Sequence, residues 1–556
     1  MLQRAGGPLT RAGLSGSMAH DRLGSLSVAR GGILCLSTAE PSVAPGAGEH
    51  MRPSRNRGSN GSSPAPGNEA PSARPTGFRQ LTDAQLEEIH LAALEILRRT
   101  GVRVYAPEAV ALLGDAGCSV TDTSLVRFPP AVIEDALRWA PSRVPLCDRT
   151  GKARVLLEAH RTYFGTGSDL PNTLDLETGE RRLSRLSDVQ DSARLTDALP
   201  NIDFIMSMAL PSDVPTASSD RHSFRAMLEN TSKPIVFTAW DEHGLDDIVA
   251  MAECVAGGRE ELRMKPFLIG YLEPTSPLQH SEVVLRKLLK MADLGLPVVY
   301  APGAVDGASS PVTTAGSLAL AAAEVLSGLA IAQLRRRGTP VVFGTGSGPL
   351  DMRTLVATYV SPECMRHTMA INELAHYRYG LPVWGFGCCS DSKRPDLQAG
   401  IDGALWTFCA ALSGANLVHD VGYIESGLTC SYEMIVVSDE VIGFVRRLLE
   451  GIRIDAETLA LDTIHEVGHK AEYVTAPHTM RHYQEVWYPR VMDRRTHHGW
   501  VQAGCPTAVD TAREIARETI AKHVPEPLPA GASETLAAIV KEADARTEAE
   551  GTARGR

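Results

Sequence analysis

Several common signatures are missing from this 556-residue chain. Its ten cysteines form no CxxC pair, and neither a GxxxxGK[ST] loop nor a GxSxG elbow occurs. That excludes the usual zinc-ribbon and thioredoxin-like frameworks, P-loop nucleotide hydrolysis and the serine-hydrolase elbow. Basic excess is also absent: Lys+Arg total 55 against 66 Asp+Glu, a formal charge of -11. A general nucleic-acid binder needs a cationic surface to displace counterions, so no nucleic-acid partner is expected. Aromatic residues make up only 5% of the chain, so any local concentration of them carries information. The N-terminus has no sustained apolar stretch followed by a cleavage site, and scattered thiols suit a reducing compartment; a cytoplasmic location is expected. One long apolar run exists, AGSLALAAAEVLSGLAIAQL (315–334), followed by Arg335, Arg336 and Arg337. Its length would span a bilayer. Glu324 and Gln333 interrupt it, however, and strand-like runs flank it, so it reads as a core helix rather than a membrane segment.

The chain divides by composition. Residues 1–77 are rich in Gly, Ser, Pro, Ala and Arg, with eight Arg against four acids, and are expected to be disordered. A targeting peptide or a true start near Met51 also fits that composition. Residues 78–160 read as a small, largely helical lobe, with Leu86, Ile89, Ala93 and Ile96 at helical spacing. From 161 to 452 short β-branched runs alternate with long helical patterns. The runs are 163–168, 202–210, 234–240, 266–274, 296–303, 340–348, 382–390 and 415–423. A helical extension over 453–525 and a flexible tail over 526–556 complete the expectation. Continuous apolar strands joined by helices imply parallel pairing covered on both faces, and eight such units imply closure. The fold class is therefore α/β, a (β/α)8 TIM barrel. The rival is an open doubly wound sheet. It should show a GxGxxG turn after an early strand; GTGSG (344–348) follows the sixth instead.

In such a barrel the chemistry sits at the C-terminal ends of the strands. Carboxylates and aromatics are found together there. Trp240, Tyr271, Glu273, His419 and Tyr423 are expected to bind the substrate, and Asp391, Lys393 and Glu425 to be catalytic. Rings and carboxylates side by side suit a quaternary or protonated amine. Other signals are weaker. HEVGH (465–469) matches HExxH, but a Gly interrupts the helix that zinc binding requires and no third His follows at metzincin spacing. No metal site is assigned. The vicinal pair Cys388–Cys389 reads as small buried thiols, and His497 and His498 beside Trp500 as a surface patch.

Three phrases carry a resemblance. GFGCCSDSKRPDLQAGIDGALW (385–406), VGYIESGLTCSYEMIVVSDEVIGFVRRLLEGI (421–452) and APHTMRHYQEVWYPRVMDRR (476–495) are similar to the trimethylamine methyltransferase family of corrinoid-dependent enzymes. The likeness runs from about Leu81 to the helix near Lys522. It implies a barrel and a methyl transfer from an amine to the Co(I) corrinoid of a separate cognate protein. It implies no tightly bound cofactor in this chain. Archaeal trimethylamine enzymes of the family carry pyrrolysine, and this sequence has none; by position the loop around Ser392–Lys393 is where it is suspected. A neutral tertiary amine is a poor methyl donor, because its leaving group is an amide anion. A quaternary ammonium leaves as a neutral amine. The resemblance therefore points to the members without pyrrolysine, which act on glycine betaine and related quaternary amines, with trimethylamine or binding without turnover as the alternatives. A betaine carboxylate would need a partner, for which His419 and Lys393 are the candidates. The tail residues His478, Arg481 and His482 could close over the barrel or pack against its outside. A homo-oligomer is compatible with all of this.

Overall fold

Short runs dominated by Val, Ile, Leu and Phe build the parallel strands of the central sheet, because residues buried on both faces need no polar alternation. In the computed structural model, which describes residues 78–554 apart from Thr345, Ser347, Lys470 and Ala471, these strands are β1 (Tyr163–Phe164), β2 (204–205), β3 (Ile235–Phe237), β4 (Leu268–Leu272), β5 (Val298–Tyr300), β6 (Val341–Gly344), β7 (Val383–Phe386) and β8 (Leu417–His419). The sequence-based expectation of disorder over 1–77 lies outside the described residues. All pairings in the sheet are parallel: Ile269 stands opposite Val236, Val299 opposite Val342, and Gly385 opposite Val418. β8 returns to β1 through Leu417 and Tyr163. β2 is held by single bridges, Gly165 to Phe204 on one side and Ile205 to Ile235 on the other, and these close the barrel.

Each strand is followed by a covering helix: α1 (Leu186–Ala198), α2 (Ser219–Asn230), α3 (Glu242–Ala256), α4 (Glu282–Leu294), α5 (Thr314–Arg335), α6 (Pro362–Glu373), α7 (Leu397–Ser413) and α8 (Tyr432–Leu449). Side-chain caps set several starts. Asp241 accepts from the Gly244 amide, Ser281 from Val284, Asp396 from Ala399 and Ser431 from Met434. α1 ends on a cation: the buried Lys233 ammonium donates to the carbonyls of Thr196, Leu199 and Ile202. It thereby satisfies orphan carbonyls at the negative end of the helix dipole.

α5 is the apolar run of the sequence. It is long and apolar enough to cross a membrane, yet 89% of its most apolar window is buried inside the protein. The barrel covers one side and the helices of the N-terminal lobe the other, which explains why it is apolar all round. Its polar residues are paired. Glu324 accepts from Ser276 Oγ at 2.8 Å and the Leu278 amide at 2.6 Å, and Gln333 donates to the Thr339 carbonyl at 2.7 Å.

Two expectations need correction. The N-terminal lobe is only partly helical. Its helices Asp83–Glu95, Pro107–Asp115 and Pro130–Trp139 share the lobe with three-residue strands Val102–Val104, Ser119–Thr121 and Leu125–Arg127. A hairpin, Val144–Cys147 with Ala153–Leu157, plugs the barrel floor, where Val144, Leu146, Val155 and Leu157 pack with Phe204, Ile269, Val342 and Trp384. The tail is the second correction. After α9 (Ala508–Lys522), residues expected to be flexible form α10 (Ala532–Arg554). It packs on α2 and α3 and buries Leu536, Val540 and Ala543.

Candidate active site

Loops after the strands rise into walls around the C-terminal mouth of the barrel. After β5 and β6, Val305–Asp306, Gly348–Asp351 and Val356–Ala357 pair as one small sheet. After β1 and β8, Asn172–Leu174, Arg181–Leu183, Tyr423–Ile424 and Thr429–Cys430 pair as another. Between these walls lies a cavity of about 630 Å³. Strained backbone collects around it: Asp169, Met208, Cys388 and Asp420, just past the ends of β1, β2, β7 and β8, all adopt positive φ without being glycine. Such conformations cost of order 1 kcal/mol or more each and gather at functional sites.

The lining has an unusual charge balance. Four carboxyl groups (Asp169, Asp220, Glu273 and Asp420) and five aromatic rings (Trp240, Tyr271, Tyr359, Phe386 and Tyr423) face the cavity, against the single lysine Lys287. The Tyr271 hydroxyl donates to Glu273 Oε2 at 3.4 Å. Asp169 accepts from Ser207 Oγ at 3.1 Å and Thr238 Oγ1 at 3.0 Å. Asp220 holds the Arg221 guanidinium at 2.9 Å and the Trp240 amide at 2.9 Å. Lys287 donates to the Ala239 carbonyl at 2.5 Å. Enclosure raises the pKa of Asp169, Asp220 and Glu273 and lowers that of Lys287. Glu273 is flanked by protein yet remains open to cavity water.

His419 and Asp420 form a pair at the end of β8. The His419 ring stacks on Trp384 at 4.2 Å, and its Nδ1 lies 2.9 Å from the Gly385 carbonyl. A carbonyl only accepts, so Nδ1 carries the proton and Nε2 presents a lone pair. Burial depresses His419 to about 3 and pushes Asp420 well above the usual carboxylate range. Asp420 Oδ1 lies 3.3 Å from Nε2. Asp420 Oδ2 is buried with no hydrogen-bond partner. Gly167 makes room for this arrangement: a Cβ there would stand 2.3 Å from Tyr423 and 2.5 Å from Asp420 Oδ1.

All five residues expected to bind substrate (Trp240, Tyr271, Glu273, His419 and Tyr423) line the cavity. The three expected to be catalytic do not. Asp391 accepts from the Tyr359 amide at 3.0 Å, the Val360 amide at 3.1 Å and Ser426 Oγ at 2.8 Å, tying two loops together. Lys393 donates to the Asp391 carbonyl at 2.8 Å and is otherwise exposed. Glu425 is held by Arg181 at 2.8 Å and Thr429 at 2.5 Å. Of the two candidates for a betaine carboxylate, Lys393 stands away from the cavity and His419 lines it. Tyr359, Phe386, Asp220 and Lys287 went unnoticed in the sequence. Asp220 and Lys287 sit on helices α2 and α4, where the strand-end rule does not look.

The remaining motifs fall away from the cavity. The helix containing His465 stops at Val467, and Gly468 adopts φ 52°, so His469 is not one turn along from His465. The Cys388 thiol lies 2.9 Å from Thr407 Oγ1 and is pushed up to about 12 by burial, an unreactive state. The tail packs outside the barrel: Glu440 of α8 accepts the amides of Arg490, Val491 and Met492. His482 and Arg481 bind Glu457 at 3.0 Å and 2.8 Å.

The sequence profile described as trimethylamine methyltransferase (MTTB) matches residues 49–548. The chain belongs to this family. The match extends past the Leu81–Lys522 span in which the resemblance was legible, and it includes α9 and most of α10. A relative named trimethylamine methyltransferase MttB, from Desulfitobacterium hafniense (strain DSM 10664 / DCB-2), is 32% identical over 84% of this chain and 94% of its own. A relative named glycine betaine methyltransferase, from D. hafniense (strain Y51), is 29% identical over 81% of this chain and 94% of its own. Among solved structures, the Methanosarcina barkeri monomethylamine methyltransferase (MtmB) is similar at 13% identity and a TM-score of 0.45, covering 78% of this chain and 86% of that chain. This family member is a methyltransferase, and its fold is the expected α/β barrel.

Proposed function

We propose that this methyltransferase moves a methyl group from a quaternary ammonium compound to the corrinoid of a partner protein docked on the C-terminal face. The observation that carries the reading is the lining of the cavity: four carboxyl groups and five aromatic rings against one lysine. Ring faces and enclosed carboxylates stabilise a cation that has shed its water. The partner's Co(I) corrinoid supplies the nucleophile, so the barrel need not contain one. The work left to the chain is to desolvate the ammonium and aim one methyl group at the open mouth.

As the N–CH3 bond breaks, its electron pair stays on nitrogen and the positive charge fades. A cage of fully ionised carboxylates would then stabilise the ground state more than the transition state. Acids already raised in pKa limit this penalty, because they hold the cation through partial charge and polarisable rings. Partner docking is supported by apolar side chains at the rim. Val312, Met352 and Leu355 are all strongly exposed near the mouth, the first two beside Gly307.

A tertiary amine remains the second reading, since the relative at 32% identity is named for trimethylamine. The test is anaerobic incubation of the protein with Co(I) cobalamin, and in parallel with the reduced cognate corrinoid protein. Tetramethylammonium, choline, glycine betaine and trimethylamine serve as separate donors, and corrinoid methylation is followed by absorbance. A quaternary donor is expected to react and trimethylamine is not; methylation from trimethylamine alone would overturn the proposal.

A further inference from the structure

We infer that the substrate is a quaternary ammonium without a carboxylate, such as a choline-type alcohol or a simple alkylammonium, and not a betaine. This rests on the preceding reading and narrows it. A betaine places an anion two or three bonds from its cationic nitrogen, so its site must offer a cation or several free N–H and O–H donors beside the cage. Among the described residues the cavity offers no uncommitted lysine or arginine, and several of its hydroxyls are already engaged.

Lys287 is the one lysine or arginine in the lining, and it is committed: buried at the base of the wall, it donates to the Ala239 carbonyl at 2.5 Å and neighbours Asp220 and Asp241. Arg221 lies just outside, and its guanidinium is shared among Asp220 at 2.9 Å, Asp247 at 3.1 Å, Asp241 at 3.2 Å and the Ala217 carbonyl at 3.0 Å. His419 has spent its proton on Gly385 and presents a lone pair. Four of the lining hydroxyls are committed as well. Tyr423 donates to the Ser168 carbonyl at 2.5 Å, Tyr271 to Glu273, Thr238 to Asp169, and Ser219 to the Thr216 carbonyl at 2.9 Å.

An added carboxylate would thus meet the carboxyl groups of Asp169, Asp220 and Glu273 and, among the described residues, no free lysine or arginine, an arrangement that disfavours it. A hydroxyl in its place donates to any of those acids.

Choline and glycine betaine share one head group and differ only at the far carbon, which isolates the point. Calorimetric titration of the full chain with each, and with the uncharged choline analogue 3,3-dimethylbutanol, is the test. Choline is expected to bind at least tenfold more tightly than glycine betaine and than the uncharged analogue. Glycine betaine binding as tightly as choline, or more tightly, overturns this inference while leaving the quaternary-amine reading intact. The uncharged analogue binding as well as choline removes the cation cage, and both proposals fall.

Discussion

At Gly303 an added Cβ would stand 2.2 Å from Glu273 Oε1, so the Glu273 carboxyl lies directly over this backbone. Gly303→Ala must push the carboxyl aside. Glu273→Gln keeps the shape and removes the charge. Both variants are expected to weaken choline binding about tenfold, equivalent to ~1.4 kcal/mol, with unchanged melting temperatures. Trp240→Ala should cost less, about two- to fivefold, because the ring is 51% exposed and a half-solvated cation–π contact is worth ~0.5–1 kcal/mol. Unaltered affinity in all three would remove these residues from the site. The acids also set a pH dependence. Asp169, Asp220 and Glu273 are raised in the folded chain, so their contribution to stability is full below the unfolded carboxylate pKa and is lost as pH rises through the raised values. A bound cation favours the ionised forms and reverses part of that loss. Ammonium affinity should therefore increase as pH rises just above the ordinary carboxylate range, with net proton release. Calorimetry in two buffers of different ionisation enthalpy reads this directly; proton uptake would contradict it.

The loop elements show why the expected catalytic group lies away from the cavity lining. Strand ends were legible because β-branched runs stop at polar residues, and the caps Asp241, Asp396 and Ser431 mark the helices that follow. What a strand-end residue faces depends on the loops above it, whose pairing is set across the mouth rather than along the chain. Asp391 follows β7 as a catalytic residue would. Its oxygens instead bind the amides of Tyr359 and Val360 and so position Tyr359, a cavity residue that no local pattern betrays. Asp391→Ala strands two amides and a hydroxyl and should cost about 1–3 kcal/mol. Ligand affinity should fall with it, and Asp391→Asn, which retains one acceptor, should restore part of both. Thermal denaturation and titration of the same samples check the pair; full activity in Asp391→Ala would show that the loop needs no such anchor.

For the whole molecule, the barrel was legible and its two coverings were not. The eight-fold alternation survives in the chain because apolar runs longer than the paired residues mark the strands and long helices separate them, whereas β2 closes the barrel through single bridges. The three-residue strands of the lobe leave none, and α10 is too polar on most faces to announce that it buries Leu536, Val540 and Ala543. The floor hairpin and the lobe close the bottom and side of the barrel, so the cavity opens at the C-terminal mouth. On the proposed function, substrate and partner meet there. The most direct measurement of that claim is the anaerobic rate of Co(I) corrinoid methylation by choline, with the cognate corrinoid protein, for the wild-type chain and Glu273→Gln. Methylation by the wild type, with half-saturation shifted about tenfold upward in the variant, is the predicted result. Identical saturation curves, or no methylation from any quaternary donor while trimethylamine reacts, would contradict it.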